Sequence, residues 1–288
     1  MLVTGVPRSG TTWLARQLAT VPGTGLAGRE PMNPRTGQFA LAGTLSGWTV
    51  LEHPTAGQAR VLRRCYRGLE PRLLSRYGHG QLRSVLPWTT TIVKDPFALL
   101  SLPAVVRATG AVPVVVFRHP GAVLASYRRM GWTADTQEVA QALSGSPGPA
   151  PADDAEAMVA FWNALHRKVL DTWGQLPGAL LVSHSEVSAG GTPALAAVAT
   201  ACGLGTVPAQ DRDDGPAPDR VHRAAAESGR LHRFDRSAQD VAQGWRSRLT
   251  EHETDLVERG TAQLWSELLA RRTPLTENHL PTTTQEQR

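Results

Sequence analysis

MLVTGVPRSGTTWLARQL, residues 1–18, is the stretch whose reading decides the fold. A short apolar run, Leu2–Val3, leads into Gly5-Val6-Pro7-Arg8-Ser9-Gly10-Thr11-Thr12. A helical pattern follows, with Trp13, Leu14 and Leu18 on one face and Arg16 and Gln17 on the other. Strand, glycine-bounded loop, helix is the order that builds an anion cradle. Glycines allow the tight turn that points successive N–H groups at one spot, and the helix aims the positive end of its dipole there. Gly5 and Gly10 are five apart, the spacing of the phosphate-binding pattern G-x-x-x-x-G-K-[ST]. Thr11 stands where that pattern has Lys, whereas Thr12 keeps the hydroxyl. Arg8 is the positive charge inside the loop, so it takes over as the loop cation. A cradle with its cation moved still binds phosphate, but it argues against ordinary ATP or GTP hydrolysis.

Working outward, Leu26–Ala27 reads as a short second strand running into Gly28-Arg29-Glu30-Pro31. Thr89–Val93 is β-branched throughout and ends at Lys94-Asp95-Pro96. Val112–Phe117 is continuous and apolar, as a central strand of a parallel sheet must be, and ends at Arg118-His119-Pro120. Pro120 opens a helix carrying Val123, Leu124 and Tyr127. Parallel sheets gather functional side chains at the carboxyl ends of their strands, so Arg8, Glu30, Lys94 and Arg118 are expected on one rim. Ser126 lies eight residues after Arg118, one to two turns into the next helix, so both can reach one phosphate. The planar fork of Arg suits bidentate phosphate binding.

Further helices are expected over Ala56–Arg76 (broken near Glu70-Pro71), Leu99–Thr109, Ala155–Trp173, Ala194–Cys202 and Thr250–Arg271, with a strand at Ala179–Val182. Residues 32–55, 144–154 (SGSPGPAPADD) and 210–219 read as irregular, and the polar stretch 273–288 as a disordered tail. Apolar strands alternating with helices, without internal repeats, predict an α/β fold: a three-layer α/β/α sandwich with a central parallel sheet and a P-loop-type core. Residues 1–272 are expected to form one domain.

Hydrophobic residues make up 41% of the chain and charged ones 19%, as in a soluble globular protein. No apolar run reaches the roughly 18 residues of a membrane span, and Met1 runs straight into the first strand, so neither membrane association nor a leader is expected. Two cysteines, Cys65 and Cys202, are too few for a disulfide framework or a metal site and read as core thiols in a reducing cytoplasm. Abundant Ala, Gly, Pro and Arg beside scarce Lys suggest a GC-rich bacterial genome. The net charge of +5 suits a polyanionic ligand. Nucleic acid is not expected, because aromatic residues do not interleave with basic ones. The basic run Arg60–Arg67 reads as the solvated face of a helix.

Pro7-Arg8-Ser9-Gly10-Thr11-Thr12-Trp13 resembles the 5′-phosphosulfate loop of sulfotransferases that use 3′-phosphoadenosine 5′-phosphosulfate (PAPS). Val114–Pro120, continuing through Ala125-Ser126-Tyr127, resembles their 3′-phosphate motif, and Lys94-Asp95-Pro96-Phe97 lies between the two. The resemblance covers residues 1–130 well and the rest loosely. The Arg in the loop and the Lys-Asp-Pro-Phe are closer to the tyrosylprotein and carbohydrate branch than to cytosolic aryl sulfotransferases.

The resemblance implies a sulfuryl group moved from PAPS to a hydroxyl of a small-molecule acceptor, a glycosylated or phenolic natural product, with release of PAP (adenosine 3′,5′-bisphosphate). Arg8, Ser9, Gly10, Thr11 and Thr12 would hold the 5′-phosphosulfate, and Arg118 and Ser126 the 3′-phosphate, which ATP lacks. Trp13 would stack on adenine, and Lys94 would be the second cation. Trp245-Arg246 would add to the 3′-phosphate site, although the family's Arg-Lys-Gly loop is absent. Aryl sulfotransferases carry a His base two residues after the Lys matching Lys94, where this chain has Pro96. The other branch uses a Glu soon after the loop, and Glu30 lies 22 residues after Arg8. His53 is the alternative base, and His119 reads as structural. No metal is expected, because a sulfuryl group carries less charge than a phosphoryl group. Two other functions fit the residues less well. A P-loop kinase would use Asp95 on Mg²⁺ but lacks the Lys at Thr11; a non-catalytic nucleotide binder would not need the rim residues.

Overall fold

Val114 and Val116 face one way from their strand, Val115 and Phe117 face the other, and the two sets belong to different cores. That alternation within one fully buried run makes this an interior strand of a sheet covered on both faces. The computed structural model describes residues 1–34, 41, 43–73, 84, 86–208 and 244–275. Among them, β1 (Leu2–Thr4), β2 (Thr24–Leu26), β3 (Thr90–Lys94), β4 (Pro113–Phe117) and β5 (Leu180–Ser183) form one sheet in the order β2-β3-β1-β4-β5. Every pairing is parallel, with Leu2 opposite Val93, Val3 opposite Val114 and Val114 opposite Leu180.

The helices are α1 (Thr11–Leu18), α2 (Ala56–Tyr66), α3 (Leu102–Thr109), α4 (Pro120–Met130), α5 (Thr136–Ser144), α6 (Asp154–Thr172), α7 (His184–Ala201) and α8 (Glu251–Arg271). One core joins α1 and α7 to Val3, Ile92, Val114, Val116 and Val182. The other joins α3, α4, α6 and α8 to Leu2, Val115, Phe117 and Leu181. Helix, sheet, helix: the expected α/β/α sandwich is the observed one. Because α1 leaves β1 toward one face and α4 leaves β4 toward the other, their loops part and open a crevice at the carboxyl edge between two neighbouring strands.

Several elements depart from the sequence reading. The helix expected from Ala194 begins ten residues earlier at His184 and is bent at Gly191 (φ 56°, ψ −141°), two residues before Pro193. The pattern reading found only the half beyond the bend. Helix α5 had no forecast; a single fully buried side chain, Val139, gives it too little apolar periodicity to read. The helix expected over Leu99–Thr109 starts as a 3-10 turn, Pro96–Ser101, and becomes α-helical at Leu102. Around Glu70 the chain does break, α2 ending at Tyr66 and a 3-10 turn spanning Pro71–Leu73.

Arg60, Arg63, Arg64 and Arg67 are exposed on or just beyond α2, a solvated face as expected. Within the irregular stretch 32–55, Trp48 is buried against Phe97 and Phe161, and its backbone N donates to Glu138 Oε1 on α5 at 2.7 Å. Thr273, placed in the tail by the sequence, is held: its N donates to Leu181 O at 2.8 Å and its hydroxyl accepts from Leu181 N at 3.1 Å. The expected irregular stretch 210–219 and the tail beyond Leu275 lie outside the described residues.

Candidate active site

The loop between β1 and α1 is wound tightly against its neighbours. A Cβ on Gly5 would lie 2.2 Å from the Val116 carbonyl oxygen, so β4 itself demands glycine there. Ser9 N donates to Val6 O at 3.0 Å and closes the turn. Between them Arg8 adopts φ 73°, the left-handed region that non-glycine residues avoid. Contacts among the described residues hold it. Its carbonyl accepts from Arg118 Nη1 at 3.1 Å, its Nε donates to Ser126 Oγ at 3.0 Å, and its guanidinium lies over the Trp132 ring, 5.6 Å from the centroid. The loop cation thus meets a strand-end Arg and a helix Ser that lie more than a hundred residues further along the chain. Ser9 is fully buried, and its Oγ has no hydrogen-bond partner among the described residues.

Among the described residues, the guanidiniums of Arg8, Arg118 and Arg129 gather there. Burial pulls the Arg118 guanidinium down to about 10, and Arg8, Arg129 and Arg248 push the same way. Burial likewise lowers Arg8, with Arg129 adding to it and Tyr127 opposing. Arg129 also donates to Ser126 Oγ, at 3.4 Å. Guanidiniums crowded together destabilise one another, and an anion between them reverses the sign of that interaction.

Across β1, the end of β3 carries a second constellation. Lys94 Nζ pairs with Glu30 Oε1, and Asn33 Nδ2 donates to Glu30 Oε2. Both members of the ion pair remain partly accessible, 21% for Lys94 and 16% for Glu30. Burial lowers the Lys94 ammonium to about 8, Asp95 opposing while Arg16 and Arg8 add to the shift. Asp95 faces inward and is wholly buried: its Oδ2 accepts from Met32 N at 2.6 Å and its Oδ1 from Phe97 N at 3.0 Å. Burial raises its carboxyl to about 6. The carboxylate that a kinase would turn toward Mg²⁺ is therefore occupied in bracing residues 32 and 97. Among the described residues no three His, Cys, Asp or Glu side chains gather as a metal site.

The remaining expected residues divide. Thr11 is buried and Thr12 half-buried at the start of α1. Trp13 is half-buried against the α1–α7 core, its ring 6.1 Å from that of His184 and tilted by 59°. Trp245 is buried, stacks on His119 at 4.4 Å, and sits where a Cβ on Gly121 would come within 2.4 Å of the indole. Arg246 leans over Trp245 and pairs with Glu258 at 2.7 Å; it opens a 3-10 turn, Arg246–Arg248, whose last residue, Arg248, pushes Arg118 down by its charge. His119 caps α4, its Nδ1 accepting from Gly121 N at 3.2 Å, and burial lowers it to about 4. His53 is exposed.

Arg129, Arg248, His184, Trp132 and Asn33 escaped the sequence reading. Arg129 could have been found, since it lies three residues after Ser126 on the same helix, within side-chain reach. His184 could not: its buried ring sits where a Cβ on Gly10 would fall, 2.1 Å from its Cδ2, a contact between the loops after β1 and β5.

A sequence model of the sulfotransferase family matches residues 1–206. No curated protein matches the chain. Among solved structures, the chain is similar to the sulfotransferase domain of the Synechococcus PCC 7002 olefin synthase, at 21% identity and TM-score 0.50, over 95% of this chain and 94% of that one. It is also similar to a sulfotransferase from Mycobacterium tuberculosis, at 16% identity and TM-score 0.43, over 92% of this chain and 76% of that one. The first likeness is one of fold.

Proposed function

Because the chain belongs to the sulfotransferase family, we propose that it moves a sulfuryl group from PAPS to the hydroxyl of a small-molecule acceptor and releases PAP. The observation that carries this reading is the meeting of Arg8, Arg118 and Ser126 in a pocket of positive charge reinforced by Arg129 and Arg248. PAPS supplies an activated sulfuryl group and, unlike ATP, a 3′-phosphate. The residues present fit it: among the described residues the buried Ser9 hydroxyl has no hydrogen-bond partner, and close contacts at Gly5 and Gly10 hold the loop tightly against β4 and His184. Arg8, Ser9, Gly10, Thr11 and Thr12 would hold the 5′-phosphosulfate, with Trp13 against adenine. Arg118, Ser126, Arg129 and Arg248 would hold the 3′-phosphate. Trp245 supports that site by packing under the first turn of α4, and Arg246 has turned from it toward Glu258.

Sulfuryl transfer, like phosphoryl transfer, is mostly positioning and charge stabilisation. Lys94 stands at the end of β3 as the cation for developing charge on the sulfuryl oxygens, and Glu30, on the same rim, takes the acceptor proton. A Glu on the rim, with Pro96 where aryl sulfotransferases have His, supports the tyrosylprotein and carbohydrate branch. The same reading takes residues 1–272 as one catalytic domain and places it in a bacterial cytoplasm, where Cys65 and Cys202 stay free thiols.

Calorimetry with PAP and ADP tests the donor site. PAP should bind far more tightly than ADP. Losing a hydrogen bond to a charged group costs about 1.5–3 kcal/mol, so Arg118→Ala should weaken PAP by roughly tenfold to a hundredfold and leave ADP almost unchanged. Equal affinities in the wild type would end the 3′-phosphate assignment. Mass spectrometry for a gain of SO₃ on candidate hydroxyl compounds, with PAPS supplied, identifies the acceptor.

A further inference from the structure

Glu30-Pro31-Met32-Asn33 forms a turn in which Asn33 N donates to Glu30 O at 3.3 Å. Pro31 presets φ at the second position of such a turn, and Pro34 confines Asn33 to extended backbone. The first and last side chains of the turn are thereby brought side by side. Its third residue, Met32, is tied to the buried Asp95 carboxylate at 2.6 Å, which anchors the turn to the end of β3. On that anchored turn Asn33 Nδ2 donates to Glu30 Oε2 while Lys94 holds Oε1. A carboxylate offers about four lone-pair sites, so both oxygens keep capacity to accept a further proton.

We propose that Asn33 is a positioning residue of this site, which fixes the Glu30 carboxylate in one orientation and stabilises its charged form ahead of the acceptor hydroxyl. The purpose of the arrangement rests on Glu30 as the base; the interaction itself does not. The charges that act on Lys94, the partner of Glu30, are Asp95 beside it, Arg8 from the loop after β1 and Arg16 from α1. Substituting Asn33 leaves these charges in place.

The full chain, labelled with ¹³C at glutamate carboxyls and free of nucleotide, gives the measurement. The Glu30 resonance is assigned by its loss in Glu30→Gln and followed through a pH titration. A donated hydrogen bond favours the charged carboxylate, so the Glu30 midpoint should move to higher pH in Asn33→Ala. It should move further in Asn33→Asp, which replaces the donor by a like charge in the same volume and serves if the Ala variant does not fold. PAP affinity should be unchanged in both, because Asn33 faces the carboxylate and not the phosphate loop. An unmoved midpoint in both variants overturns the role of Asn33, as does a loss of PAP binding that accompanies the shift. Normal sulfation by Glu30→Gln overturns the base reading instead, whatever the titration shows.

Discussion

Arg8 occupies left-handed backbone space at a cost of roughly 1–2 kcal/mol for a residue with a Cβ. The strain persists because Arg118 holds its carbonyl and Ser126 its Nε. Strain of this kind collects where geometry matters more than stability. Arg8→Gly should accordingly be more stable than Arg8→Ala by about 1 kcal/mol in urea denaturation, since only the Ala variant keeps the conformational penalty. Both should lose turnover alike, by roughly 10²–10³, the usual loss when a group facing transition-state charge is removed, and Lys94→Ala should match them. Near-normal turnover in any of the three would take that residue out of the mechanism. Glu30→Gln keeps size and hydrogen bonding but cannot accept the proton. Its rate should fall by about 10²–10⁴ while PAP affinity holds. A fully active Gln variant beside a dead His53→Ala would move the base to His53, which stands exposed in the irregular segment.

At the scale of elements, the loop after β1 is the joint between β1, α1 and α7. Gly10 has φ 93°, and a Cβ there would come 2.1 and 2.7 Å from Cδ2 and Nε2 of His184, the first residue of α7. Gly10→Ala must therefore displace the start of α1 or the His ring, an overpacking that typically costs 1–3 kcal/mol. Melting temperature and PAP affinity should both fall. Gly110, at φ 69° after α3 with open space where its Cβ would go, is the control: Gly110→Ala should show the backbone penalty without loss of PAP affinity. Adding His184→Ala to Gly10→Ala should recover part of the lost affinity, because contacting residues couple. Strictly additive effects would show that the loop is not wedged against α7.

Over the whole molecule, buried imidazoles should set the acid limit. Burial lowers His119 and His166 to about 4 and His184 to about 3, each from an ordinary value of 6.5. Between pH 6.5 and 4 the unfolded chain binds protons at these positions that the folded chain refuses, so stability falls as pH falls through that window. Each group contributes a slope of about 1.4 kcal/mol per pH unit. Asp95 opposes them: raised from 3.8 to about 6, it favours the folded state as pH drops through the same range. His166 makes the cleanest test, being fully buried on α6 with its Nδ1 donating to the Trp162 carbonyl at 2.9 Å. His166→Asn keeps a donor without a titrating group. Its stability, measured by denaturation from pH 7.5 to 5, should depend on pH less steeply than the wild type by about one proton. An unchanged slope would mean that His166 binds its proton equally in the folded and unfolded states.

The architecture was legible in the sequence because its determinants are local. β-branched and apolar runs fix where strands form, and two-residue alternation assigns Val114 and Val116 to one core and Val115 and Phe117 to the other. Parallel strands then bring Arg8, Glu30, Lys94 and Arg118 to one edge without further information, since every loop that follows a strand emerges on that side. Partners were not legible. Lys94 pairs with Glu30 across 64 residues and not with its neighbour Asp95, which turns inward to brace Met32 and Phe97. Arg246 turns to Glu258 while the charge of Arg248 bears on Arg118, because residues two apart in a 3-10 turn point to different sides. His184 meets Gly10 only because β5 and β1 flank β4. Such choices depend on strand order, rotamer and packing of segments distant in the chain, and only the folded structure supplies those.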